Sequence, residues 1–546
     1  MTARLKQPLR VADFFCGSGG FSEGFRQAGF NIVFALDKWE PAVRTYRGNK
    51  PGVNVVQDDI IRISNLSDDE FERIVPDSEI IIGSPPCQSF SHSNKSGNAD
   101  KSLGIVLIEA YLKIIARKKM KQGSVLRYWV LENVPAVKDY IKDEYTASDL
   151  GLSGDFILKT KGQAAGEYNA KYFGAPTNRK RYLCGDFPVL VTTNNDATVV
   201  TLRQVLDSLG DPLSTEDGSI TDINYPTLTL DRSLVTDHRY EYKLADFEIE
   251  TAKRLKQDKG YMGRMAFPEN LDKPARTVMA TMSCSSRESM ILPCKGGGYR
   301  LPTVREAACM MSFPIDYWFY GNSKGTKHTL VGNAVPPKLS YAIAVAIAKA
   351  ECRAVLVDYP RINHDEKEQF YNLNGETVPV KKERTRNPKA KFKYHIPYLV
   401  IKAYRVELTN YHSDFEKESF AWDAEIHYSQ GKDKAKVYTP VLENRMIPNT
   451  YIKQADRFIE SYDKSVLSMN RFQEAYCMTS ELRKQKELIG PYELLNMIKT
   501  FLDEKVKDDD MKKTVFINKE LESLPIAIAV GYYVLKRITE KMGGLK

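Results

Sequence analysis

The sequence contains few of the residues that build metal centres or disulfide frameworks. Its 546 residues include eight cysteines and seven histidines. The cysteines are scattered, and no two of them are spaced as Cys-x-x-Cys. This pattern predicts neither a zinc site nor a set of disulfides, and it favours a reducing compartment. We therefore expect no metal ligands.

Apolar runs long enough to cross a membrane are also missing from the sequence. The amino terminus, Met-Thr-Ala-Arg-Leu-Lys, lacks the apolar core of a signal peptide. The longest apolar stretch, residues 524–535, is too short to cross a bilayer and predicts a buried helix or strand. We expect a cytoplasmic protein without a membrane partner, present as a monomer.

The charge balance is modestly basic. Lysine and arginine number 79 against 70 aspartates and glutamates, which gives a formal net charge of +9. This excess favours a polyanionic partner such as nucleic acid, and a basic stretch at residues 381–393 has the composition of a domain boundary.

Short apolar runs alternate with helical patterns over residues 1–187. The runs lie at residues 11–15, 32–36, 80–82 and 128–131. This rhythm predicts an α/β fold with a doubly wound parallel sheet, whose ligands bind beyond the carboxyl ends of the strands. The rhythm is lost over residues 188–300, and helical periodicity returns at 301–355. Residues 356–546 form a separate region with a predicted strand near 394–406 and helices over 466–507.

A thiol and a carboxylic acid follow two of these predicted strands. Cys87 comes after Pro85 and Pro86, and Glu132 ends a later apolar run. A thiolate can add to carbon 6 of cytosine and activate carbon 5 if an acid neutralises ring nitrogen 3 at the same time. The alternative for Cys87 is a rigid turn that holds a small buried residue.

A glycine-rich turn follows the first predicted strand. Gly17, Gly19 and Gly20 would let the backbone pass close to a ligand and enter a helix whose amino terminus carries partial positive charge. The turn could hold a dinucleotide phosphate or the methionine carboxylate of S-adenosylmethionine, or it could be purely structural.

Acidic residues at the ends of the next two strands favour an adenosyl ligand. Asp37 is followed closely by Trp39, and Asp59 is followed by Ile60. One carboxylate can accept hydrogen bonds from ribose hydroxyls and the other from the adenine amino group, while the indole can stack on adenine.

Together these motifs make the chain resemble the DNA (cytosine-5) methyltransferase family over residues 8–350. The motifs occur in the family's order: Asp13-Phe14-Phe15-Cys16-Gly17-Ser18-Gly19-Gly20, Asp37, Asp59-Ile60, Gly83-Ser84-Pro85-Pro86-Cys87-Gln88-Ser89-Phe90, Leu131-Glu132-Asn133-Val134, Gly174-Ala175-Pro176-Thr177-Asn178-Arg179-Lys180-Arg181, Arg305-Glu306-Ala307-Ala308 with Phe313-Pro314, and Gly332-Asn333-Ala334-Val335-Pro336-Pro337. One departure is Thr177, where the family usually has glutamine.

The resemblance implies a Rossmann-like methyltransferase fold that depends on S-adenosylmethionine. The catalytic domain would comprise residues 1–187 and 301–355, with a small target recognition domain at 188–300. Residues 356–546 would be an additional α+β region of unknown role.

The resemblance also implies roles for individual residues. Cys87 would be the nucleophile and Glu132 would contact ring nitrogen 3. Arg181 would hold the base carbonyl, and Arg179 would orient the carboxylate or a phosphate. The cofactor would be bound by Phe14, Gly17, Gly19, Gly20, Asp37, Trp39, Asp59, Ile60, Pro85 and Asn333.

The implied partner is double-stranded DNA, from which the target cytosine must be flipped. A polar loop at residues 89–102 is suited to closing on DNA, and residues of the recognition region would read or position it. The candidate contacts are Ser91, Ser93, Lys95, Arg264, Arg276, Thr277 and Arg287.

Such an enzyme would protect DNA against a cognate restriction endonuclease without binding that nuclease directly. Two alternatives remain: a tRNA cytosine-5 methyltransferase, disfavoured because its Cys-Phe-Thr signature is missing, and a DNA-binding regulator with vestigial activity.

Overall fold

A computed structural model describes residues 7–86, 101–258, 263–365, 367–429, 436–443 and 446–544. The chain forms two compact units. The first comprises Met1–Leu244 and Pro268–Val380, and the second comprises Ala245–Phe267 and Lys381–Lys546.

A seven-stranded mixed sheet forms the centre of the first unit. Its strands, numbered along the chain, are β1 (Arg10–Phe14), β2 (Asn31–Asp37), β3 (Asn54–Gln57), β4 (Ile80–Gly83), β5 (Tyr128–Asn133), β6 (Gly166–Asn169) and β7 (Lys180–Asp186). The spatial order is β3-β2-β1-β4-β5-β7-β6. The first five strands are parallel, and β7 pairs antiparallel with both β5 and β6. The four strands predicted from the apolar runs are confirmed, and the fold is Rossmann-like.

Helices cover both faces of this sheet, so the central strands are buried on both sides as apolar runs require. Separate apolar clusters form on the two sides. The α-helices of this unit are Gly20–Gln27, Glu40–Asn49, Ile60–Ser64, Asp68–Ile74, Ser102–Met120, Leu202–Leu209, Val304–Met310, Lys324–Asn333 and Pro337–Ala350.

Short strands accompany the main sheet. They pair as Glu144–Thr146 with Ile157–Lys159, Thr177–Asn178 with Ala275–Arg276, and Ser219–Thr221 with Thr229–Asp231, while Tyr242–Lys243, Tyr299–Leu301 and Leu292–Pro293 form a three-stranded sheet.

One helical stretch, Lys324–Ala350, is apolar and long enough to span a membrane by length and composition. It is built of two consecutive helices, and 67% of its apolar window is buried inside the protein. This is the behaviour of a core segment: Leu339, Ile343 and Ile347 pack in the apolar cluster beside β1.

The second unit contains a four-stranded antiparallel sheet and a set of helices. The strands, in spatial order, are β8 (Lys393–His395), β9 (Tyr404–Thr409), β10 (Asp423–Tyr428) and β11 (Lys436–Tyr438). Two short strands, Thr514–Val515 and Leu524–Pro525, also pair. The helices are Asp246–Gln257, Asn449–Tyr462, Met469–Cys477, Ser480–Gln485, Pro491–Lys505, Asp508–Met511 and Ile526–Gly544. The predicted helical content of residues 466–507 is confirmed, and the apolar run at 524–535 begins the buried helix Ile526–Gly544.

Residues 245–267 belong to this second unit although they interrupt the sequence of the first. The Arg254 guanidinium lies 3.8 Å from the centre of the Tyr492 ring, within cation–π range. The Asp258 carboxylate accepts hydrogen bonds from the Tyr394 hydroxyl at 2.5 Å and from the Tyr398 backbone N–H at 2.9 Å. The C-terminal unit thus includes a segment that the sequence places inside the predicted recognition region.

We expect Asp258→Ala to destabilise the second unit. The substitution leaves the Tyr394 hydroxyl and the Tyr398 N–H without their charged acceptor, a loss of about 1–3 kcal/mol in the free energy of unfolding. Glu250→Ala, which removes an exposed carboxylate from the helix Asp246–Gln257 that precedes Asp258, is the matched control. Thermal unfolding and limited proteolysis of residues 245–267 measure the effect, and equal behaviour of the two variants would contradict it.

Candidate active site

A cavity of about 630 Å³ opens beyond the carboxyl ends of the parallel strands in the first unit. This is where open α/β sheets bind ligands, and the volume lies in the range of small-molecule sites. Ten of the residues predicted from the sequence line it: Gly17, Asp37, Trp39, Asp59, Ile60, Pro85, Glu132, Arg179, Arg181 and Asn333.

Asp37, at the end of β2, forms a hydrogen bond with the glycine-rich turn that follows β1. Its Oδ2 accepts a hydrogen bond from the Gly17 backbone N–H at 2.9 Å, and its Oδ1 accepts one from the Trp39 N–H at 2.8 Å. Burial raises the pKa of the Asp37 carboxyl, although these N–H donors oppose the shift. A carboxylate has about four lone-pair sites. Both oxygens therefore keep acceptor capacity for two adjacent hydroxyls of a ligand.

Asp59 lies at the next strand end along the sheet. Its Oδ1 caps the helix Ile60–Ser64 by accepting from the Ile61 N–H at 2.9 Å. Its Oδ2 lies 2.7 Å from the Lys38 ammonium, and this hydrogen bond lowers the pKa of the carboxyl. Trp39, at 37% exposure, presents its indole to the same cavity. Acceptors and a flat apolar surface thus line one end of the cavity.

Three predicted cofactor residues are not in the cavity lining. Phe14 is fully buried in the core on one side of the sheet. A Cβ on Gly19 would lie 2.7 Å from the Tyr317 hydroxyl, and one on Gly20 would lie 2.3 Å from the Val335 carbonyl oxygen. These two glycines are therefore required by close packing beneath the turn, and Gly19 also has a left-handed φ of 84°.

Lys50, which was not predicted from the sequence, is a buried residue that contacts the glycine-rich turn. The Lys50 ammonium donates to the Tyr317 hydroxyl at 2.9 Å and to the Gly19 carbonyl at 3.3 Å, and it lies 3.3 Å from Glu23 Oε2. Tyr317 in turn donates to the Ser18 carbonyl. Burial lowers the pKa of Lys50, and Glu23 opposes the shift. This network fixes two carbonyl groups of the turn, so we regard Lys50 as a positioning residue.

Glu132 and Arg181 form a buried ion pair at the other end of the cavity. The Arg181 Nε lies 2.8 Å from Glu132 Oε1, and both side chains are less than one-tenth exposed. The register of the antiparallel strands β5 and β7 places Leu183 opposite Glu132, so Arg181, two residues from Leu183, is the diagonal neighbour of Glu132. Burial raises the pKa of the Glu132 carboxyl above its ordinary value, while Arg181 and Arg179 oppose that shift. Protonation of Glu132 therefore costs less free energy than protonation of a surface glutamate at the same pH.

Arg179 uses its guanidinium to join three parts of the chain. It donates to the carbonyl oxygens of Val278 at 3.1 Å, Gly332 at 2.9 Å and Ala334 at 3.1 Å. In this structure it therefore holds the cavity wall together, and its predicted catalytic contact stays a prediction.

Thr177, the departure from the family pattern, is buried and structural. Its hydroxyl donates to the Arg276 carbonyl oxygen at 3.1 Å, where the strands Thr177–Asn178 and Ala275–Arg276 pair in parallel. The side chain thus links the two segments.

Four predicted residues, Cys87, Ser91, Ser93 and Lys95, lie outside the described residues, although Pro86 lines the cavity. The remaining DNA candidates occupy different places. Arg276 pairs with Glu269 at 2.8 Å, Thr277 donates to the Asn178 carbonyl at 3.0 Å, and Arg287 is buried, all in the first unit. Arg264 belongs to the second unit, where it lies over the Tyr398 ring.

The family description C-5 cytosine-specific DNA methylase matches residues 9–349 of this chain. The chain is similar to M.MJ0563P of Methanocaldococcus jannaschii, a candidate type II methyltransferase by its name, with 30% identity over 62% of this chain and 99% of the relative. It is also similar to the type II methyltransferase M.DdeI of Desulfomicrobium norvegicum, with 27% identity over 62% of this chain and 88% of the relative.

Among solved structures, the Dnmt2 methyltransferase of S. pombe is similar to this chain. The TM-score is 0.41 at 18% identity, over 63% of this chain and 99% of the other. The match of the family description to more than half of the chain, in the region that contains the cavity, is the decisive finding. The chain belongs to the C-5 cytosine-specific DNA methylase family and is a DNA (cytosine-5) methyltransferase.

Proposed function

We propose that this enzyme methylates carbon 5 of a cytosine flipped out of a specific double-stranded DNA sequence, through a covalent adduct with Cys87. The observation that supports this most is the shared cavity. Glu132, paired with Arg181, faces the same space as Pro85 and Pro86, which immediately precede Cys87. An acid and the two prolines that precede Cys87 in the sequence thus line one cavity.

The residues at the other end fit S-adenosylmethionine. Asp37 retains acceptor capacity for the ribose hydroxyls, and Trp39 offers a ring face for adenine. When bound, the cofactor supplies an electrophilic methyl group. The chain's contribution is to hold it by the glycine-rich turn, which Asp37 and Lys50 keep in place.

The chemistry of the base depends on Cys87 and Glu132. The Cys87 thiolate adds to carbon 6 of cytosine while protonated Glu132 acts as a general acid and gives its proton to ring nitrogen 3, so that electron density moves to carbon 5. Arg181 pairs with the Glu132 carboxyl. In this proposal it also holds the base carbonyl oxygen. After carbon 5 is methylated, loss of its proton allows the carbon–sulfur bond to break and releases Cys87.

We further propose that residues 188–300 read the DNA sequence and that methylation protects it from a cognate restriction endonuclease. The type II methyltransferase names of the relatives support the proposed protection against a restriction endonuclease.

Labelled S-adenosylmethionine incubated with duplex DNA or with tRNA tests the substrate class, and labelling of tRNA alone would refute the proposal. Methylation-sensitive sequencing of DNA from an expressing host would give the recognition sequence.

We expect Cys87→Ser to lower methyl transfer by several orders of magnitude while DNA binding is largely kept, because only covalent activation is lost. Cys352→Ser, which changes an exposed free cysteine, is the matched control. In the wild type, 5-fluorocytosine at the target should trap a covalent complex, since fluorine does not leave as a proton does. Substantial turnover by Cys87→Ser, or trapping through another cysteine, would show that the nucleophile is misassigned.

Asp37→Asn and Glu132→Gln should separate cofactor binding from chemistry. Asp37→Asn removes the charged acceptor for the ribose and should weaken S-adenosylmethionine binding by about 1–3 kcal/mol. Glu132→Gln keeps the shape of the side chain but cannot transfer a proton, so turnover should fall strongly with little change in cofactor affinity. Calorimetric titration together with single-turnover rates measures both effects, and the reverse pattern would mean that the two ends of the cavity are interchanged.

A further inference from the structure

The sheet of the second unit carries a buried polar face. On β9 and β10 the apolar side chains Val406, Leu408, Ala424 and Ile426 alternate with polar ones and pack in the core of this unit. Because successive side chains of a strand point to opposite faces, Arg405, Glu407, Glu425 and His427 share the other face. Glu407, Glu425 and His427 are nevertheless almost completely buried.

Two glutamates lie directly opposite each other on this face. The register pairs Glu407 with Glu425, and the residues are only 5% and 6% exposed. Like charges in a direct cross-strand pair destabilise a sheet, and burial increases the cost of each charge. The pair therefore needs compensating positive charge beside its carboxylates.

In each glutamate one carboxylate oxygen pairs with a neighbouring side chain and the other faces His427. We call the first the outer oxygen and the second the inner oxygen. The outer atoms are held by neighbouring side chains: Arg405 contacts Glu407 Oε1, and His412 Nε2 lies 2.9 Å from Glu425 Oε1. The inner Oε2 atoms face His427, whose Nε2 lies 3.1 Å from that of Glu407 and 2.7 Å from that of Glu425. Ligand side chains oriented by partners on their other atoms are typical of metal sites.

The three inner atoms have the spacing of a coordination shell. One ligand atom from each of Glu407, Glu425 and His427 lies within 4.8 Å of the other two. A cation bound at about 2.0–2.2 Å from nitrogen and oxygen ligands has adjacent donor atoms roughly 3 Å apart. Glu407 Oε2 is buried and accepts no hydrogen bond within the described part of the chain. A buried carboxylate oxygen that accepts no hydrogen bond and lies close to two other ligand atoms is suited to binding a cation.

Among the described residues, the side chain of Lys393 also contacts both inner oxygen atoms. Its ammonium lies 3.4 Å from Glu407 Oε2 and 3.3 Å from Glu425 Oε2, and its side chain is one-third exposed. A lysine with this exposure can move its charged end into solvent.

We propose that Glu407 Oε2, Glu425 Oε2 and His427 Nε2 bind one divalent cation, Mn²⁺ or Zn²⁺, in place of the Lys393 ammonium. An imidazole with two carboxylates suits these ions better than Mg²⁺ or Ca²⁺, which prefer oxygen ligands alone. Three protein ligands leave coordination positions open, as in catalytic rather than structural zinc sites. The site is separate from the methyl-transfer chemistry and does not depend on it.

The first test is direct binding to the full chain after treatment with a chelator. Titration calorimetry with Zn²⁺, and Mn²⁺ titration followed by electron paramagnetic resonance, should each give one site per chain. Glu425→Gln should weaken binding by roughly 10- to 100-fold or more, since loss of even an outer partner has that effect. Glu418→Gln, an exposed carboxylate on the preceding loop, should leave it unchanged. Absence of binding to the wild type, or equal binding by Glu425→Gln, overturns the proposal.

A second variant distinguishes a cation site from a closed ion-pair network. Lys393→Met removes the competing ammonium, so a cation site should bind Mn²⁺ more tightly, and Mn²⁺ should restore the thermal stability that the variant loses. Lys391→Met, which removes a lysine near the Tyr411 and Phe415 rings, should show neither effect. If Lys393→Met is destabilised and Mn²⁺ neither binds nor restores it, Lys393 is itself the required cation and the proposal is wrong.

Discussion

The buried guanidinium of Arg179 sets the geometry of the polar end of the cavity. Its carbonyl partners at 278, 332 and 334 lie 99 to 155 residues away along the chain, so one side chain closes the wall from three distant segments. Arginine suits this role because its planar fork carries five N–H donors, whereas lysine would present a single point charge. The positive charge of Arg179 also opposes the rise in the pKa of Glu132 that burial causes. The residue that joins the three segments of the cavity wall therefore also affects the protonation of Glu132.

The parts of the site that follow strand ends could be predicted from the sequence, and the parts that depend on distant packing could not. Gly17 and Asp37 lie at the ends of β1 and β2, and parallel neighbours bring such ends together. Lys50 follows a helix and meets Tyr317 from a segment 267 residues further on. Its charge and position along the chain gave no signal, because only the packing beneath the turn makes it a support.

In the C-terminal unit, a turn between two strands could not be predicted from the sequence. Sequence patterns predicted one strand near residues 394–406, whereas the structure has two antiparallel strands, β8 and β9, joined by residues 396–403. Tyr398, Lys402 and Ala403 have positive φ in that connection. None of them is glycine or asparagine, so the usual sequence signal for such a turn was missing. The register that places Glu407 opposite Glu425 pairs β9 with β10, and no sequence pattern predicted β10.

The buried charges of the two units call for different explanations because their partners differ. Lys50 has a carboxylate, a hydroxyl and a carbonyl within 3.3 Å, so its charge is compensated by the protein itself and the network acts as a rigid support. At Glu407 and Glu425 the outer oxygens are compensated in the same way, but the buried inner oxygen of Glu407 accepts no hydrogen bond from the described residues. Burial of a charge is costly in both places. Fixed partners compensate the charge of Lys50, which explains the stability of the turn. At Glu407 Oε2 the compensating ammonium of Lys393 lies 3.4 Å away on a partly exposed side chain, so a divalent cation can replace it.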